Sequence, residues 1–97
     1  MTDPASIPVR QLDRTHRDAV VAHFLLLPRE DRRLRFGATL DDAAVAGYVA
    51  RIDFERDALF GAFADDLSLA GVAHVAASAG SAEFGVSVVP DARGRGI

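Results

Sequence analysis

Cysteine, lysine and asparagine are missing from this chain of 97 residues. The first absence excludes disulfides, thiolate-held zinc and a thiol nucleophile, and fits a cytoplasmic protein. The second leaves arginine as the source of all 11 basic residues; beside 18 alanines, that bias reads as a GC-rich bacterial genome more than as a functional choice. No charge of one sign dominates. A formal net charge of −3 argues against a general binder of nucleic acid or of anionic membranes. There is no long apolar run either: the stretch from Ala19 to Leu27 is broken by His23 and closed by Pro28, too short to span a bilayer. Met1 to Pro8 lacks the basic and apolar regions of a signal peptide. His16, His23 and His74 are scattered without ligand spacing, so no metal site is expected.

What is present suffices for one small domain, since 49% of the residues are hydrophobic. Residues 1–6 read as a loose tail. Pro8 to Leu12 alternates as a short strand does. Thr15-x-x-Asp18 has capping-box spacing, and Val20, Val21, Phe24 and Leu25 share a helical face, which predicts a helix over about 15–27. Pro28 to Arg35 suits a second helical piece with proline in its first turn, ended by Gly37. Thr39-x-x-Asp42 repeats the capping spacing, and Val45, Tyr48, Val49 and Ile52 form one buried stripe. Leu59 to Ala64, the turn Asp65-Asp66 and Leu67 to Ala76 read as a hairpin. A turn at Ser78 to Ser81 leads to a last strand, Ala82 to Val89. The fold class expected is α+β: strand, helix, helix, then three antiparallel strands, with no internal repeat and no second domain. Phe24, Phe54, Phe60, Phe63 and Phe84 are expected in the core. The last strand, with Phe84, Val86 and Val88 on one face, forms an open sheet edge that invites pairing with a second copy.

The segment from Glu83 to Ile97 carries the most chemistry. An apolar strand passes through Pro90 into Arg93-Gly-Arg-Gly96. Glycines let a backbone approach a ligand closely, and successive N–H groups there cradle a phosphate, more strongly where a helix begins. The same four residues also suit a plain terminus or an RGG-like RNA contact, although one pair of arginines makes few phosphate contacts. A dinucleotide-binding start fits less well, because its glycines follow the first strand almost directly.

With the preceding elements, Val88-Val-Pro-Asp-Ala-Arg-Gly-Arg-Gly-Ile97 resembles the N-terminal half of the GNAT superfamily of acyl-CoA-dependent N-acyltransferases. Arg93 to Ile97 matches five of the six positions of the family signature Arg/Gln-x-x-Gly-x-Gly/Ala. The resemblance covers about residues 8–97, with its specific part in 82–97. It implies acetyl-CoA as co-substrate and an amine acceptor. Amides of Arg93, Gly94, Arg95, Gly96 and Ile97 would hold the pyrophosphate, and the backbone of Val88 and Val89 would bond the pantetheine arm. It also implies a strand glutamate as general base, for which Glu83 is the candidate beside its plainer reading as a solvated strand residue. The family's usual tyrosine acid lies beyond the signature, and Tyr48 lies on the wrong element for it. For the cluster Arg29, Arg32, Arg33 and Arg35, the plainer reading is a solvated helix with Glu30 and Asp31 as partners; the functional one has these four arginines recognise an acidic acceptor. The second half of the family fold has no counterpart in these residues, so the chain by itself is expected not to catalyse; its open edge strand is expected to make it a homodimer. The competing expectation is a non-catalytic interaction module that self-associates through the last strand.

Overall fold

The computed structural model describes residues 8–78 and 81–90, with the backbone alone for 77, 78 and 81–83. Strand β1 (Val9–Leu12) leads through a 3-10 turn (Arg14–His16) into helix α1 (Arg17–Leu25). Helices α2 (Arg29–Phe36) and α3 (Asp42–Ala50) follow, then strands β2 (Ala58–Phe63), β3 (Leu69–Ser78) and β4 (Ser81–Val88). The strands form one antiparallel sheet in the order β1-β2-β3-β4, so the architecture is α+β and β4 ends the described sheet. No helix among the described residues is long and apolar enough to cross a membrane.

Aspartates, rather than the threonines that the spacing suggests, cap the 3-10 turn before α1 and the start of α3. Asp13 accepts the Thr15 N–H at 2.8 Å, and His16 Nδ1 accepts the Asp13 N–H at 3.0 Å, closing a reciprocal box. The Thr15 hydroxyl donates to the same carboxylate, and together these bonds hold Asp13 below its ordinary pKa. At α3, Asp41 accepts the Ala44 N–H at 2.8 Å. A carboxylate satisfies an orphan helix donor and also suits the positive end of the helix, so the aspartates prevail. Pro28 stands just outside α2 as its N-cap, and Gly37 ends that helix in the left-handed region at φ 79°, as its position predicts. The hairpin turn is longer than expected: β2 ends one residue earlier, at Phe63, and β3 starts two residues later. Leu67 takes a positive φ of 68°, Ser68 N–H bonds Asp66 Oδ1 at 3.0 Å, and β3 therefore begins at Leu69.

Register explains the core. One cross-strand row runs Leu12, Leu59, His74, Gly85, and the next includes Gly61, Val72 and Ser87. These rows face the helices. Val20 and Phe24 of α1 and Val45 and Val49 of α3 are fully buried against Leu12, Leu59, Leu69 and Val72. Burial of each such side chain contributes about 1.5–3 kcal/mol. Gly61 is required here: a Cβ would lie 2.6 Å from Leu69 Cδ2 and 2.9 Å from Leu12 Cδ2. Arg17 and Arg32 close helix ends. Arg17 donates to the carbonyls of Val49, Ala50 and Ile52, and Arg32 to those of Leu25, Leu27 and Leu40.

The opposite sheet face is apolar and open, with Val9 63%, Phe60 37%, Phe84 71% and Val86 51% exposed. Phe84 and Val86 do share a face, as the alternation requires, but Phe60 and Phe84 are not core residues. The reason lies on β4. Its helix-facing positions include Gly85 and Ser87, which receive polar side chains from α2 and α1, so its apolar residues point the other way.

Candidate functional site

Polarity gathers where the helices meet β4. His23, on α1, is 1% exposed and lies between two acceptors or donors. Its Nδ1 is 2.8 Å from the Leu69 carbonyl oxygen, and its Nε2 is 2.8 Å from Ser87 Oγ. A carbonyl only accepts, so Nδ1 carries the hydrogen and Nε2 accepts from the serine hydroxyl. Burial, the largest cause, pushes the His23 pKa down, and the nearby Arg35 charge acts in the same direction. The ring is thereby kept neutral, with its lone pair on Ser87.

Arg35, on α2, occupies a cage. Its Cζ lies 5.5, 5.0 and 5.8 Å from the ring centres of Phe24, Phe36 and Tyr48, which themselves meet edge-on. Such faces attract a cation through their quadrupoles. The guanidinium rests on the β4 backbone at Gly85, where a Cβ would be 2.6 Å from Cζ. Its Nε is buried and without a hydrogen-bond partner among the described residues. Arg35 makes no ion pair with a carboxylate among the described residues.

From Arg35 a chain of polar contacts runs inward. Arg35 donates to the Tyr48 hydroxyl at 3.4 Å, Tyr48 Oη is 3.1 Å from His74 Nδ1, and His74 Nε2 is 2.9 Å from Asp57 Oδ2. The carboxylate accepts, which assigns the hydrogen of a neutral His74 to Nε2 and leaves Nδ1 to accept from Tyr48. Every hydrogen in the series then points the same way, from α2 toward Asp57. His74 is buried, and Tyr48 and Asp57 on either side of it are half-buried. Chemically this arrangement can pass a proton between Tyr48 and His74 beside a fixed cation.

Two depressions border this network. A cleft of about 350 Å³ lies between α2 and β4, lined by Leu34, Arg35, Val86, Ser87 and Val88 among others. A groove of about 560 Å³ lies between α2 and α3.

Of the expected site residues, Glu83 pairs with Ala76 in the β3–β4 ladder, two residues along β4 from Gly85; its side chain lies outside the described residues. Val88 pairs with Gly71, and the Val89 N–H donates to the Ala70 carbonyl at 2.9 Å, so that amide is engaged within the fold. Arg93, Gly94, Arg95, Gly96 and Ile97 lie outside the described residues. Arg32 and Arg33 are engaged, the first with helix-end carbonyls and Asp42, the second with Glu30. Arg35 is the member of that cluster turned inward. Sequence reasoning missed Tyr48, His74, Asp57 and Gly85 as a group. Gly85 did carry a signal, since glycine within a strand marks a close approach. Among the described residues no three His, Asp or Glu side chains gather as a metal would need. The chain matches no protein-family model, no curated protein and no solved structure.

Proposed function

We propose that the chain is the N-terminal part of a GNAT-type N-acyltransferase domain that uses acetyl-CoA. One observation carries the reading: an antiparallel sheet with three helices before β2 ends in β4, which runs beside α2 and precedes Arg93-Gly-Arg-Gly96 in the sequence. Helices on one face and an outer strand followed in sequence by a glycine-rich segment suit a long, amide-rich coenzyme with a diphosphate. The amides of Arg93 to Ile97 hold the pyrophosphate, and the backbone of Val88 and Val89, apart from the Val89 N–H that bonds Ala70, takes the pantetheine arm.

In the reaction the acceptor nitrogen attacks the thioester carbon. A C–N bond forms, the C–S bond breaks, and coenzyme A leaves as the thiolate. Glu83 takes the proton that the nitrogen loses, directly or through one water. Binding both reactants in one complex supplies most of the acceleration, with no covalent enzyme intermediate. The cleft between α2 and β4 is the place for the acceptor. Calorimetric titration with acetyl-CoA tests the reading: stoichiometric binding supports it, and no heat of binding contradicts it.

A second reading has its own observation. Val9, Phe60, Phe84 and Val86 expose apolar side chains on one face of the sheet, from β1 across to β4. Contiguous apolar surface of this kind is uncommon on a monomer. In this reading a second copy covers that face and the chain is a self-associating module, with no coenzyme required.

A further inference from the structure

We propose that the groove between α2 and α3 is a binding site for a small carboxylate with an apolar or aromatic body, anchored by Arg35 and Arg51. The inference does not depend on the acyltransferase reading. Its lining includes Arg35, Phe36, Leu40, Gly47, Tyr48 and Arg51, completed by alanines, and contains no acidic side chain. That is a departure for this chain, in which 14 acidic residues outnumber 11 basic ones. The neighbouring depressions do contain acids: Asp41 and Asp42 in one, Asp31 in the other.

Three further features point to an anion. Arg35 is held in place by three aromatic rings and by the backbone at Gly85, yet it makes no ion pair with a described carboxylate. A half-buried cation surrounded by rings and one 3.4 Å hydroxyl contact is incompletely compensated, and a carboxylate completes it. Arg51, one turn after Gly47, folds back so that its Nη1 lies 3.3 Å from where a Gly47 Cβ would be. A methyl at position 47 would require Arg51 to give by a few tenths of an ångström. Finally, the remaining wall of Phe36, Leu40 and Tyr48 is apolar, which favours an organic acid over a bare inorganic anion. A volume of about 560 Å³ suits a small molecule rather than a polymer.

The test uses the whole chain labelled with nitrogen-15 and benzoate as the probe, with benzamide as its uncharged counterpart and inorganic phosphate as a bare anion. Benzoate should shift the amides of Phe36, Leu40, Gly47 and Tyr48 and the Arg35 Nε signal along one saturable curve. Benzamide and phosphate should bind at least about tenfold more weakly, since a charge-assisted contact is worth at least that factor. Arg51→Gln, at an exposed position, should weaken benzoate binding while leaving the spectrum folded; Arg35→Lys should weaken it further. Equal binding of benzoate and benzamide, shifts that map elsewhere, shifts that never saturate, or unchanged affinity in folded Arg51→Gln would each overturn the proposal.

Discussion

Arg35 lies across Gly85: the guanidinium carbon is 2.6 Å from the point where a Cβ on that strand residue would stand. The strand and the helix therefore share one space, and the cage around the cation exists only because residue 85 lacks a side chain. Gly85→Ala should eject the guanidinium, which sits at the end of a flexible side chain, rather than break the sheet. The expected cost is about 1–3 kcal/mol, read from urea unfolding, together with loss of the ring-current shift on the Arg35 Nε proton. An unchanged Nε shift would show that Arg35 does not rest on the strand. Gly61→Ala, whose added methyl meets Leu69 and Leu12 in the core, should cost at least as much.

Tyr48, His74 and Asp57 should behave as one unit. Tyr48→Phe leaves His74 Nδ1 without its donor, and Asp57→Asn replaces the carboxylate that orients Nε2. Each should destabilise by about 1–3 kcal/mol, and the double variant by less than the sum. Nitrogen-15 shifts of the His74 ring should report the hydrogen on Nε2 in the parent protein. A strictly additive pair, or a hydrogen on Nδ1, would dissolve the series into separate contacts.

His23 gives the fold a pH dependence of known sign. Its folded pKa is depressed below the ordinary 6.5, so the unfolded chain binds the proton more readily. Stability from this group is complete above that ordinary value and falls as the pH drops from it through the folded value. Urea midpoints measured between about pH 5 and about pH 8 should therefore decrease toward acid, less steeply in His23→Gln. A variant with the same slope as the parent would assign the effect to other groups.

The open sheet face predicts self-association. Sedimentation equilibrium should find a dimer, and the double change Phe84→Glu, Val86→Glu should give a folded monomer, because both side chains are already largely exposed in the single chain. A parent protein that remains monomeric at high concentration would remove the interaction-module reading.

Much of this fold could be read before it was seen. The stripe Val45, Val49, Ile52, the stop at Gly37 and the hairpin between β2 and β3 follow from local periodicity and turn chemistry. Helix starts were less legible, since Asp13 and Thr15, or Asp41 and Thr39, compete within two residues and geometry decides. The face that β4 presents was not legible at all. Alternation gives two faces but does not say which one the helices cover; that depends on His23 finding Ser87 across 64 positions of sequence. The Tyr48–His74–Asp57 series is hidden for the same reason, because its partners come from a helix, a strand and a loop.

The most direct test of the central claim is an amide map recorded while acetyl-CoA is added to the chain. The account predicts saturable shifts at Val88 and through Arg93 to Ile97, with α1 and β1 undisturbed. Saturation without any change in Arg93 to Ile97, or no shift anywhere, would contradict a coenzyme-binding turn and with it the acyltransferase reading.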